Sequence, residues 1–394
     1  MATPAPASRV PAATWLLVAA QAINLTCAVI SVTVAAVLGA QLAPSPAWGT
    51  VPYGLQFAAL MACTYPASML MRRFGRRPVF GGGAVMLAAS GACGYLAASH
   101  ASFAWLVAAH VLLGVFLSCA NFYRFAAVDG VPAEVKPRAL SLVVAGGVVA
   151  ALVGPPLAST LRVVPGFADF ALCYAVLVAL ALATGGLLVA WRPATDALPA
   201  AAPPPAPTSA AADRHTRRVL LTAVVVSAGA FLMMNLVMVQ ASLVMRGICS
   251  FDAASRAIQA HVLAMFLPSF ATGPLLARLG VRRVLVAGCL LMFGAAVAGL
   301  QTLAYDHVVV LLVLAGLGWN FAFVGGSTLL AQRVPDAQRH RWQGLSDTAV
   351  AACATLGAFL PAPMLAGWGW NGTNVALLPL CIAGALWCGW VLSA

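Results

Sequence analysis

From residue 14 to residue 392 the chain is a succession of apolar runs separated by short turns. A bilayer core takes about 20 helical residues at roughly 1.5 Å each. Runs of that order lie at 14–38, 50–71, 79–99, 103–126, 140–162, 168–191, 219–245, 255–277, 284–304, 308–331, 344–366 and 373–392. Only 8% of residues are charged, where a soluble protein carries charge at about a quarter of its positions. A backbone held in lipid must satisfy its own hydrogen bonds. The pattern therefore predicts an all-α polytopic membrane protein of twelve transmembrane helices.

The net charge of +12 would suit a nucleic-acid partner, but its distribution argues against one. With the N-terminus in the cytoplasm, 17 of the 21 Lys and Arg fall in the tail and loops of that side. Arg162, Arg246 and Arg256 fall outside, and Arg124 falls within a span. This positive-inside asymmetry predicts both termini in the cytoplasm and assigns the charge to anionic headgroups. Pro4, Pro6 and Pro11 precede the first run without a basic n-region and small-residue cleavage site. A short tail before a retained span is expected, not a cleaved signal. The ten Cys are scattered singly with no C-x-x-C pair, which reads as small buried packing residues.

Residues 192–218 interrupt the rhythm. They are rich in Ala and Pro, include Pro203, Pro204 and Pro205, and end in Arg214, Arg217 and Arg218. They read as a flexible cytoplasmic linker between six-helix halves at 1–191 and 219–394. The halves echo each other. Arg72-Arg73-Phe74-Gly75-Arg76-Arg77 follows the second run, and Arg278-Leu279-Gly280-Val281-Arg282-Arg283 follows the eighth. A tight turn between helices favours Gly for its access to positive φ. The recurrence of Gly with Arg at equivalent points implies an internal duplication.

Candidate ligands sit in runs 7 and 8. Met234 and Met238 are four residues apart, as are His261 and Met265, so each pair shares a helix face. Helix 7 runs outward and helix 8 returns. At 1.5 Å per residue Met234 lies ~3 Å and Met238 ~9 Å outside the midpoint, against ~1–2 Å for Met265 and ~7–8 Å for His261. Thioether and imidazole suit a soft cation such as Cu(I), and an intramembrane His is a functional candidate. Met233 is an additional candidate, and Cys249, beyond the outer end of helix 7, is a candidate for the intake step. Gap-filling or contact with a polar substrate is the alternative for these residues. His110 in helix 4 has no Met or Cys at i±4 and reads as a lone hydrogen-bonded residue.

Arg124 either snorkels to the cytoplasmic interface or pairs internally as part of a gate, with Asp347 of helix 11 as its counterpart. No carboxylate lies near a membrane midplane. Pro268, Pro361 and Pro363 favour kinks.

The paired basic loops resemble the loop 2–3 motif of the major facilitator superfamily, over essentially the whole chain. Gly146, Gly147, Gly154 and Pro155 are similar to its Gly-rich helix-5 motif. Arg73, Gly75, Arg76, Arg77, Arg278, Gly280, Gly154 and Pro155 are thereby implied as structural or gating residues. There is one departure. The acidic residue expected before the first loop Arg is Arg72 here and Ala277 in the second copy.

Met233-Met-Asn-Leu-Val-Met238, the stretch from Gln259 to Gly273, Asn121-Phe-Tyr-Arg124-Phe and Gly318-Trp-Asn-Phe321 resemble the CcoA-like transporters. These are bacterial copper importers with riboflavin transporters as relatives. The resemblance implies Met234, Met238, His261 and Met265 as copper ligands, with Met233 an additional one. It also implies a monomeric secondary transporter in the bacterial inner membrane, importing copper by alternating access. The metal would supply cbb3-type cytochrome oxidase through a cytoplasmic copper acceptor or oxidase assembly factor. Copper is then cargo, and no permanent cofactor is expected. Two alternatives stay open: uptake of a small organic solute such as riboflavin, with Trp319, Phe321 and Phe323 stacking on a ring, and a membrane copper receptor that does not transport. An enzyme is not expected, because the sequence shows no buried carboxylate pair, nucleophile triad, P-loop or cofactor fingerprint.

Overall fold

In a computed structural model of the chain, residues 10–44, 48–49, 51–192, 210–245 and 247–393 are described. Arg246 and the Pro-rich residues 193–209 lie outside them. The described residues form helices and connecting turns without strands. In order these are α1 (Ala12–Leu42), α2 (Val51–Phe74), α3 (Arg76–Ser99), α4 (Phe103–Ala120), α5 (Tyr123–Ala126), α6 (Lys136–Ala145), α7 (Gly147–Leu161) and α8 (Ala171–Ala190). There follow α9 (Ala210–Met245), α10 (Phe251–Phe266), α11 (Ser269–Leu279), α12 (Val281–Gly299), α13 (Tyr305–Arg333), α14 (Arg339–Phe359) and α15 (Pro361–Val391).

Ten helical stretches among the described residues are long and apolar enough to cross a membrane. Neither α2 nor α14 is among them. Each has spanning length, but α2 buries Gln56, Thr64 and Ser68, and α14 carries Arg339, Arg341 and Asp347. These two helices pack along each other, and Gln56, Thr64, Ser68 and Asp347 are buried within the protein.

The structure corrects several boundaries. Residues 210–218, expected as flexible linker, are the first turns of α9. From residue 208 to the end of α9 the sequence has no Pro, and residues 210–218 are rich in Ala and Arg, both good helix formers. The fourth, fifth and eighth runs are each two helices. The breaks fall at Asn121–Phe122, at Gly146, and at Leu267–Pro268. Pro268 has no N–H to continue the ladder. The Asn320 amide spans this break, donating to the Met265 carbonyl (2.6 Å) and Ser269 Oγ (2.6 Å). Its oxygen accepts from Thr272 Oγ1 at 2.6 Å. Between the last two runs the chain turns at Gly369, whose φ of 66° interrupts α15.

Packing repeats along the chain. Helix α3 lies between α4 and α8 as α12 lies between α13 and α15, and α1 packs on α7 as α9 packs on α14. The turns that lead into α3 and α12 have the same backbone: Gly75 has φ 83°, ψ 168°, and Gly280 has φ 79°, ψ 155°. Left-handed φ at both points favours a residue without a Cβ. Between the two sets of helices, α2 packs on α14, α6 on α11 and α13, and α7 on α10. Glycines permit the closest approaches. A Cβ on Gly344 would lie 2.7 Å from Ser68 Cβ, and one on Gly273 would lie 2.8 Å from Arg138 Cα.

Candidate transport site

Helix α13 stands between α9 and α10 and packs on both. Gly316 lets α10 sit against it: a Cβ there would meet the His261 carbonyl at 2.8 Å and the Met265 nitrogen at 3.1 Å. The fully buried His261 uses Nδ1 to donate to the Leu312 carbonyl at 2.6 Å. A carbonyl only accepts, so the proton is on Nδ1 and Nε2 presents a lone pair. Nε2 is buried without a hydrogen-bond partner.

One heptad along α13 from Leu312, Trp319 begins an aromatic cluster. Its ring stacks on Phe323 (centroids 5.0 Å, 17°) and meets Phe231 of α9 edge-on at 5.1 Å. It also meets Phe266 of α10 edge-on at 5.5 Å. Phe231 closes the set with an edge contact to Phe323 at 4.9 Å. Such offset and T-shaped contacts follow the ring quadrupole. The Trp319 indole N–H is buried and unpaired. Phe321 is on another face of α13, its Cβ 3.2 Å from where a Gly288 Cβ would stand.

Met234 and Met265 are buried and Met238 is half-buried, so none of the three projects freely outward. Trp319, Phe231 and Phe266 fill the space between α9 and α10. Among the described residues no three His, Cys, Asp or Glu side chains form a metal-holding group, which says nothing of a set built on thioethers. Met233 departs from the proposed ligand face. Its sulfur accepts from Cys381 Sγ of α15 at 3.5 Å, because a one-residue step turns it about 100° from Met234. Cys249, the proposed intake residue, donates to the Met245 carbonyl at 3.4 Å and so folds back on its own helix end.

Arg124 is paired internally. Its Nη2 donates to Asp347 Oδ1, its Nη1 to the Asn121 carbonyl at 2.6 Å and its Nε to Ser327 at 3.3 Å. The guanidinium also lies 4.3 Å from the Phe125 ring centroid and 4.7 Å from that of Phe323, a favourable cation–π arrangement. The ion pair thus joins α5 to α14 directly beneath the aromatic cluster.

A second closure lies at the end that carries the basic loops. Arg76 Nε donates to Asp129 Oδ2 at 2.5 Å, and its Nη2 donates to Gln343 at 3.0 Å. Arg339 lies 3.4 Å from the other Asp129 oxygen. Ser68 Oγ donates to the His340 carbonyl, and Lys136 Nζ to the Ala331 carbonyl at 3.2 Å. These bonds tie the α1–α8 helices to α13 and α14 at one end. Burial and the guanidiniums of Arg76, Arg339 and Arg72 push the His340 imidazole down to about 4, with Asp129 opposing.

The other motif residues have local roles. Arg77 donates to the Leu188 and Val189 carbonyls at the end of α8 (3.1 and 2.8 Å). Arg73 lies over the Phe74 ring at 5.2 Å, and Arg278 is exposed in the last turn of α11. A Cβ on Gly154 would lie 2.7 Å from a Val29 methyl of α1, while Pro155 sits inside α7 without breaking it. His110 is hydrogen-bonded within the protein, as its isolation from Met and Cys suggested. It contacts Gln56 Oε1 at 2.8 Å through Nδ1 and Tyr174 OH at 3.0 Å through Nε2.

Sequence reasoning missed Asp129, Gln343, Arg339, Phe231 and Phe266 as site residues. Asp129 carried a usable signal, since it is the acidic residue beside the end of the fourth run. Phe231 and Phe266 carried none, because aromatic residues in a span read as packing.

Comparison with known proteins agrees with this architecture. The profile of the Major Facilitator Superfamily matches residues 251–393. The riboflavin transporter RfnT of Brucella anthropi is 33% identical over 369 residues, which cover 93% of this chain and 92% of that protein. An uncharacterized MFS-type transporter of Bacillus subtilis, YdeG, is 34% identical over 109 residues, 27% of this chain and 25% of its own. Among solved structures, the human organic anion transporter MFSD10 superposes with a TM-score of 0.76 at 14% identity. That match covers 96% of this chain and 100% of the other. FucP in its outward conformation gives 0.73 at 14% identity, covering 96% and 98%. These relatives are carriers, not enzymes. The chain belongs to the major facilitator superfamily and is a multi-pass membrane transporter.

Proposed function

We propose that this transporter imports a flat conjugated heterocycle of the riboflavin class across the bacterial inner membrane. The observation that carries this reading is the Phe231–Trp319–Phe323–Phe266 cluster, whose indole N–H is buried with no partner. A planar ring system intercalates among such side chains, and its carbonyl oxygens accept from the Trp319 N–H. The His261 Nε2 lone pair offers an acceptor for a ring N–H. Full-length similarity to the riboflavin transporter supports the same substrate class. In this reading the two six-helix halves rock about the site, with twelve spans and both termini in the cytoplasm. The basic-loop end is the cytoplasmic gate.

Copper import is the second reading. It is favoured by the buried, unpartnered Nε2 of His261 one turn from Met265 and by the soft chemistry of the Met234–Met238 pair. The copper would be cargo, delivered toward cytochrome oxidase assembly.

Uptake of labelled riboflavin and of copper, measured side by side in a strain lacking its own carriers, separates the two. The first reading expects riboflavin accumulation that falls at least tenfold in Trp319→Ala. Copper accumulation that depends on His261, with no riboflavin uptake, would replace it with the second. Binding of copper without vesicle uptake would mark a receptor.

A further inference from the structure

Away from the aromatic cluster, four sulfur-bearing side chains from three helices line one cavity beside α9, and a fifth, Cys388, lies on the same face of α15. On α15 the residues Cys381, Gly384 and Cys388 are spaced at i, i+3 and i+7, which places them on one helix face. Cys289 of α12 fits the notch at Gly384, where a Cβ would stand 3.3 Å from its Sγ. The Cys381 S–H donates to the Met233 thioether at 3.5 Å. Met292 lies one turn from Cys289 on α12. All five residues are buried. Four of them, Met233, Cys289, Met292 and Cys381, line one cavity of about 430 Å³ between α9, α12, α13 and α15.

Packing accounts for a single buried thiol or thioether. It gives no reason for four sulfur-bearing side chains from three helices to line a cavity otherwise walled by Leu, Val, Ala, Gly and Trp387. Thiolate and thioether select soft monovalent ions. Charge also favours this match. One thiolate with one monovalent cation is neutral, so no net charge is left in the apolar interior.

We propose that this cavity is a lateral binding site for a soft monovalent cation, Cu(I) or Ag(I), held by the Cys289 thiolate with Cys381, Met233 and Met292. On binding, Cys289 gives its proton to water and the ion takes its place. The site is separate from the Met234, Met238, His261 and Met265 set and stands whether the transported solute is organic or metallic.

The test is titration of the purified full chain in detergent, under reductant, with Cu(I) against a chromogenic chelator. The expected result is a tightly bound equivalent that His261→Ala keeps and the double variant C289S/C381S loses. Met233→Ala should weaken it at least tenfold. Equal binding by wild type and the double variant would overturn the site. A second measurement uses the unmodified protein: Ag(I) should slow alkylation of Cys289 and Cys381 while Cys63 and Cys353 react at their former rates. Unchanged alkylation of Cys289 and Cys381 would also reject it.

Discussion

The Arg124 guanidinium and the Asp347 carboxylate meet inside the protein, 223 positions apart in sequence, and fasten α5 to α14. Each is almost fully withdrawn from solvent. Removing one partner of such a pair leaves an uncompensated buried charge, a loss of about 3–5 kcal/mol. Arg124→Ala and Asp347→Ala should each lower the melting temperature in detergent and abolish uptake. The double variant should recover part of the lost thermal stability, as a double-mutant cycle will measure.

Asp129 holds two cations at once, Arg76 and Arg339. Asp129→Asn keeps the side-chain shape and removes the charge both depend on. The basic-loop end should then open more often, and a cysteine placed at Ser68 should react faster with a water-soluble maleimide, by at least severalfold. An unchanged labelling rate would show that the other bonds of that end, such as Lys136 to the Ala331 carbonyl, suffice for closure.

His340 supplies a pH dependence with a definite sign. Its folded-state pKa of about 4 lies below the ordinary 6.5, so the unfolded chain takes up the proton more readily. Stability is intact above about 6.5, falls as pH drops toward 4, and loses nothing further below that. Protonation would place a cation beside Arg76, Arg339 and Arg72. Melting curves between pH 7 and pH 4 should show a decline that His340→Gln reduces.

Gly75 and Gly280 should be sensitive to alanine for the same reason. At φ 83° and 79° an L side chain is strained by about 1–2 kcal/mol. Open space surrounds both sites, so the loss should come from the backbone alone. Similar drops in melting temperature are expected for Gly75→Ala and Gly280→Ala, with D-alanine incorporation at either position restoring the native value.

Much of the scaffold was legible because lipid imposes a coarse code. Apolar runs of spanning length marked the helices, and Gly with Arg marked the two equivalent turns. The breaks at Gly146 and Pro268 were less legible, since many spans carry Gly or Pro without interruption, as α7 does at Pro155 and Pro156. Arg124 and Asp347 were recognisable as partners because charge within a span requires compensation. Asp129 escaped notice because an acidic residue at a span end ordinarily faces water. The Met and His pairs illustrate the deeper limit. Helical spacing places two side chains on a shared face, but only the packing of α13 between α9 and α10 decides what stands between the faces.

The two glycine turns share a backbone, yet the residue that follows differs: Arg76 at one, Val281 at the other. Only the former reaches across to Asp129 and Gln343. Two turns of one backbone shape therefore differ in use: the first carries a bolt and the second, at the position after its glycine, does not. Retuning how firmly the carrier shuts can proceed through the first copy alone, leaving its twin free to preserve geometry.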